Sequence, residues 1–147
     1  MNFLMRVKLM ATTTGVALFL IVGALTAIYS QQAFAKDPTS LSLDASPNKG
    51  KAGSAGTLHV SLSGVAIAEL EGVHGVGRVL CGVCMNEATI HIKGIGEGKE
   101  LTVTANEDGD FGTSVDLTPG THEIQAYFPG NDNFTSSSAT RVVTVTS

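Results

Sequence analysis

The chain has 147 residues, of which 43% are hydrophobic and only 5% aromatic, with no tryptophan and with 13 Asp and Glu against 9 Lys and Arg. This length suits one core of ordinary domain size once a leader is set aside, and that core must be built from Val, Ile, Leu and Ala. Arg6 and Lys8 stand near the N-terminus, so the remainder is more acidic than the whole, which excludes nucleic-acid and anionic-lipid binding through clustered cations.

Residues 1–35 read as a targeting segment. Arg6 and Lys8 form a positive n-region, residues 9–29 are apolar or small, and Ala33-Phe34-Ala35 supplies the small-x-small pattern that a signal peptidase accepts. Cleavage after Ala35 is the first expectation. An uncleaved anchor is the alternative, because an apolar run of about 20 residues spans a bilayer and the two cations hold its N-terminus inside. Both place residues 36–147 outside the cell, secreted or at its surface, with membrane contact confined to the leader.

Residues 36–40 are a short polar lead, a tether where the anchor is kept. Leu41 and Leu43 mark a first edge strand. Ser46-Pro47-Asn48-Lys49-Gly50-Lys51 breaks it, since proline donates nothing to a ladder and the Gly-rich run to Gly56 disfavours regular structure. Leu58, Val60 and Leu62 then alternate with Thr57, His59, Ser61 and Ser63, the period of a half-buried strand, which sets His59 at the rim or in solvent.

Residues 65–86 form an odd apolar insert carrying both cysteines. It reads as a β-hairpin with a Gly-rich tip or as two short strands added at a sheet edge. Val65, Ile67, Val79 and Leu80 either cover one open end of the fold or, left exposed, mark an interaction site; a binding loop would comprise Val73, His74, Val76, Arg78, Val79 and Leu80.

A strand is expected over 88–93, then a hairpin connection at Gly94-Ile95-Gly96-Glu97-Gly98. Because a strand and not a helix follows these glycines, a dinucleotide-binding reading fails. Residues 99–105 and 111–117 alternate and are read as antiparallel neighbours joined through Glu107-Asp108-Gly109-Asp110. Pro119-Gly120 makes another turn, 121–128 alternates again, and after Pro129-Gly130-Asn131-Asp132-Asn133 the chain closes with a strand over 139–146. No window carries a helical stripe, so an all-β sandwich is expected.

Three turn and corner runs make the pattern more specific: Asn106-Glu107-Asp108-Gly109-Asp110-Phe111, then Thr118-Pro119-Gly120-Thr121-His122, then Ala126-Tyr127-Phe128-Pro129-Gly130-Asn131-Asp132-Asn133-Phe134 with Ser137-Ser138-Ala139. In this order they resemble the closing half of the immunoglobulin-like (Big-type) repeat domains of exported bacterial and archaeal surface proteins. The resemblance covers residues 39–147 and is strongest after Glu87. It implies an immunoglobulin-like β-sandwich of about seven antiparallel strands in an extracellular adhesion or spacer role, and no reaction. Where such repeats carry a short polar connection, between Gly64 and Ala88, this chain has its longer apolar insert.

Chemistry concentrates at Cys81-Gly82-Val83-Cys84. In an exported chain a pair of cysteines favours a disulfide, and this spacing closes a small ring when the backbone turns at Gly82. The alternative is a metal site, with Cys81 and Cys84 as thiolate ligands completed by His74, or by His59 or His91, and with Met85 suited to Cu(I). A thioredoxin-like redox role lacks the helix that would depress a thiol pKa. Glu107, Asp108, Asp110 and Asp116 invite calcium, but a charged hairpin turn accounts for them. His91 is read as a solvated strand residue, and His122 as a cap on a strand start. Asn133-Phe134-Thr135 is a glycosylation sequon at Asn133, with Phe134 packing at the corner. No catalytic grouping stands out, and no cofactor is expected. The expected function is a non-catalytic surface module whose partner is an unknown protein or glycan; an envelope metal-binding protein and a purely structural surface component are the alternatives.

Overall fold

The structure is a computed structural model that describes residues 35–72 and 77–147. Residues 1–34 of the leader and the insert residues Val73, His74 and Val76 therefore lie outside the described residues. Among those described, ten strands build two sheets: β1 (Thr39–Leu41), β2 (Asp44–Ser46), β3 (Lys49–Lys51), β4 (Leu58–Glu71), β5 (Arg78–Cys81), β6 (Thr89–Lys93), β7 (Glu100–Thr104), β8 (Asp110–Leu117), β9 (Gly120–Phe128) and β10 (Ser137–Thr146). A single 3-10 turn, Val83–Met85, follows β5.

The first sheet is organised on β4. Its N-terminal half pairs with β8 on one edge, Leu58 opposite Leu117 through Val65 opposite Asp110, and with β2 on the other. Its C-terminal half takes β1 and β5 on the same two edges. The second sheet has the order β3-β10-β9-β6-β7 and is antiparallel except for its edge, where β3 runs parallel to β10. One hydrophobic cluster spans both sheets. From the first come Val60, Leu62, Ala66, Ala68, Phe111, Val115 and Leu117, and from the second Ile90, Ile92, Ile124, Ala126, Val143 and Val145. Alternation explains the choice, since each strand points every second side chain inward. Arg141 on β10 reaches Asp44 on β2 at 2.8 Å, closing the flank where the first strands pass from one sheet to the other.

Several expectations change. Residues 99–105 and 111–117 are not neighbours: β7 pairs with β6, β8 pairs with β4, and the chain between them crosses from sheet to sheet. The physical reason lies in the turn. Asn106 Oδ1 accepts from the N–H groups of Asp108 and Asp110, and the Gly109 carbonyl accepts from Ala66 N–H at 2.9 Å, so the segment is stitched to β4 and not folded back on β7. The polar lead is no tether, because Asp37 bridges Phe134 and β1 begins at Thr39. The Gly-rich run holds a strand, β3, which gains its ladder from β10. The hairpin expected at Gly94-Ile95-Gly96-Glu97-Gly98 is present between β6 and β7.

The histidines also settle. His59 is exposed and lies 3.0 Å from Asp116. His91 is half-buried, not freely solvated, with Nδ1 at 2.6 Å from Glu100 Oε1. His122 Nε2 donates to the Thr118 carbonyl at 2.8 Å, bracing the turn into β9.

Candidate functional site: a disulfide-braced hairpin

The apolar insert is a continuation of β4. The strand runs unbroken through Gly64, and beyond it the inward parity is kept by Ala66 and Ala68, both fully buried. Gly64 is required at that point: a Cβ there would meet the Ser42 carbonyl and the Phe111 ring. Past Ala68 the only ladder partner of β4 among the described residues is β5, with Glu69 opposite Leu80, Leu70 opposite Val79 and Glu71 opposite Arg78. Gly72 N–H donates to the Gly77 carbonyl at 3.1 Å, and Gly77 has a φ of 125°, open to glycine alone at little cost. Of the two sequence readings, the hairpin is the one observed, with its tip at 73–76 outside the described residues.

Ala66, Ala68 and Met85 of the insert enter the core and Val65, Ile67 and Leu70 are half-buried, but three apolar side chains do not cap the sandwich. Val79 is 57% exposed, Leu80 62% and Val83 70%. By register Leu80 shares a face with Glu69, Glu71 and Arg78, while Val79 shares the opposite face with Leu70. The arm thus has one apolar face, Leu70 with Val79, and one charged face on which Leu80 is the apolar member. Arg78 Nη1 sits 2.7 Å from Glu69 Oε2, an ion pair that spans the two strands. As an exposed pair it contributes about 0–1 kcal/mol.

Below the arm, Cys81 and Cys84 form a disulfide, with Cα atoms 5.4 Å apart. The ring closes because the backbone turns helically at Gly82: Met85 N–H donates to the Gly82 carbonyl at 2.8 Å, and Cys84 N–H lies 3.2 Å from Cys81 Sγ. Gly82 packs on the neighbouring turn, where an added Cβ would come within 2.5 Å of the Asp108 carbonyl. Met85 plugs the core at 1% exposure. Strand, ring, plug and turn therefore hold the base of the arm at four points.

The cysteine sulfurs are bonded to each other and so are not thiolate ligands in this state. His59 pairs with Asp116 and His91 with Glu100, His74 lies outside the described residues, and among the described residues no three His, Cys, Asp or Glu side chains group as a metal would require. The acidic turn is ordered by Asn106, with Asp116 engaged by His59. Asn133 is exposed at the β9–β10 connection; its N–H donates to Asn131 Oδ1 and its carbonyl accepts from Asp37 N–H. Phe134 packs against the core as expected of a corner residue. The one shifted carboxyl is away from the arm: the hydrogen bond from His91 holds Glu100 below its ordinary range, with partial burial opposing and Lys93 adding to the effect.

Sequence reasoning missed the continuity of β4 and the role of Gly109 as its fastener. The signal available was Gly109 itself, a glycine that takes a φ of 80° and whose carbonyl accepts from Ala66 N–H. Comparison with family models finds no match to this chain. Comparison with curated proteins finds no relative.

Proposed function

We propose that this chain is an exported, immunoglobulin-like surface module that binds a cell-surface protein or glycan through the β4–β5 arm. Support for the immunoglobulin-like fold comes from the topology: a first strand divided between the sheets, β8 beside β4, β9 between β6 and β10, and a parallel β3–β10 edge. The turn runs that carry the resemblance to Big-type repeats lie between β7 and β8, between β8 and β9, and at the β9–β10 corner. Export rests on the leader pattern of residues 1–35.

The observation that carries the binding role is the exposure of Val79 and Leu80 on the arm and of Val83 in the disulfide ring at its base. Apolar groups on a rigid projection lose little conformational entropy on docking, which is how a scaffold converts exposed area into affinity. The test is binding of the folded protein to immobilised surface proteins and glycans of its source cell, in parallel with Val79→Ser/Leu80→Ser/Val83→Ser. Loss of binding by at least about tenfold with an unchanged melting transition supports the reading. Equal binding by both proteins refutes it.

A further inference from the structure

The chain enters the fold abruptly. Ala35 and Lys36 are exposed, but from Asp37 onward the backbone is committed. Asp37 N–H donates to the Asn133 carbonyl at 2.9 Å, the Asp37 carbonyl accepts from Thr135 N–H at 2.9 Å, and the Pro38 carbonyl accepts from Glu69 N–H at 2.8 Å. Thr39 adds two more bonds to Thr135, from its N–H at 3.2 Å and its hydroxyl at 2.8 Å, and opens the ladder of β1 opposite Ala68. The Thr39–Thr135 partners are 96 residues apart in sequence, so this lock cannot close until residues 133–135 have been brought to the entry of the chain.

Proteases that read an extended segment pair with its backbone on both sides of the bond they cut, and they act where that backbone is free. Asp37 is the second residue after the expected cut. Its donor and its acceptor are both taken in the folded state, and Pro38 beyond it offers no donor.

We propose that the Ala35–Lys36 bond is open to a signal peptidase only until residues 133–135 dock on Asp37, so that processing and folding compete and a molecule that folds first keeps its leader. The inference rests on the reading of residues 1–35 as a leader with its cut after Ala35. The step is a hydrolysis: water adds across the amide, leaving a carboxylate on Ala35 and an ammonium on Lys36, with no further reactant. One sequence then yields two products, a released domain and an anchored one, in a ratio set by the rate of folding.

The test uses the full chain, folded in detergent micelles and given to a purified signal peptidase of Ala-x-Ala specificity. Two variants accompany it. One carries about six Gly and Ser residues between Lys36 and Asp37, roughly 20 Å when extended, which frees the cut from the lock. The other is Ile124→Asp, which breaks the core at a position with 0% exposure and leaves the chain unfolded. The expected result is fast cleavage of both variants and cleavage of the folded parent about a hundred-fold slower, the factor for opening several backbone bonds together. Parent and insertion variant cut at equal rates overturn the proposal while leaving the leader reading intact. Cleavage of Ile124→Asp but not of the insertion variant also overturns it, since the block would then not lie at Asp37. Resistance of all three overturns the leader reading, and the proposal with it.

Discussion

The half of the molecule after Glu87 and the arm over 65–86 are built from similar residues, yet they behave differently. In β9, Ile124 and Ala126 are fully buried, and the strand is paired on both edges by β6 and β10. In β5, Val79 and Leu80 are more than half exposed, and β4 is its only ladder partner among the described residues. Apolar strand residues therefore do not by themselves fix where a strand ends up. What separates the two regions is whether a second layer lies above the side chains, and for the arm a covalent ring and a methionine plug take that layer's place.

The comparison can be pressed from both sides. The largest effect is expected in the body: Leu62→Ala removes a side chain that is 1% exposed and should cost about 2–5 kcal/mol by chemical denaturation, with the arm lost in the same transition. Next comes the fastener. Gly109→Ala forces a side chain into a φ of 80° and against the Ala66 carbonyl, for an expected loss of about 1–3 kcal/mol in the same measurement. A loss within about 0.5 kcal/mol would show that β4 does not depend on the turn.

Removing the ring with Cys81→Ser/Cys84→Ser should cost less, about 2 kcal/mol, because a loop this short restrains little of the unfolded chain. Hydrogen exchange locates the effect: amides of β5 and the Val83–Met85 turn should exchange faster while those of β9 and β10 keep their protection. Uniform acceleration would mean that the arm and the body are one cooperative unit.

The smallest effect is electrostatic. The Glu100 carboxyl is held below its ordinary range by His91, so its contribution to stability is present above the unfolded-state pKa and is lost as pH falls through the lower folded-state pKa. In His91→Ala the Glu100 titration followed by NMR should move up toward its ordinary value, and the acid limb of the stability curve should become shallower, because the folded and unfolded pKa values then nearly coincide. No change would assign the effect to Lys93, 3.5 Å away.

Much of the body was legible because burial has a period. Phe111, Val115 and Leu117, then Ile124, Ala126 and Phe128, fall inward as alternation requires, and the turn residues mark where each strand stops. Sheet membership was not legible. The acidic turn at Glu107-Asp108-Gly109-Asp110 has hairpin composition, and only the bonds to Asn106 and Ala66 decide that it crosses the sandwich. In the arm, the apolar run and the cysteine pair announced themselves, but exposure did not. Val79 and Leu80 look like core until the layer that would cover them proves to be missing among the described residues.

The parallel edge has a mechanical consequence. β3 lies near the entry of the chain and β10 ends at Thr146, and they run in the same direction with Thr144 opposite Lys49 and Thr146 opposite Lys51. Tension applied between the two ends draws these strands past one another along their length. The bonds from Thr144 N–H to the Asn48 carbonyl and from Ala52 N–H to the Thr146 carbonyl then share the load and must yield together, whereas the antiparallel β9–β10 hairpin, pulled from its open end, would unzip rung by rung. Once the contacts of Asp37, β1 and β2 have yielded, a pull between the two ends is carried by this seam in shear.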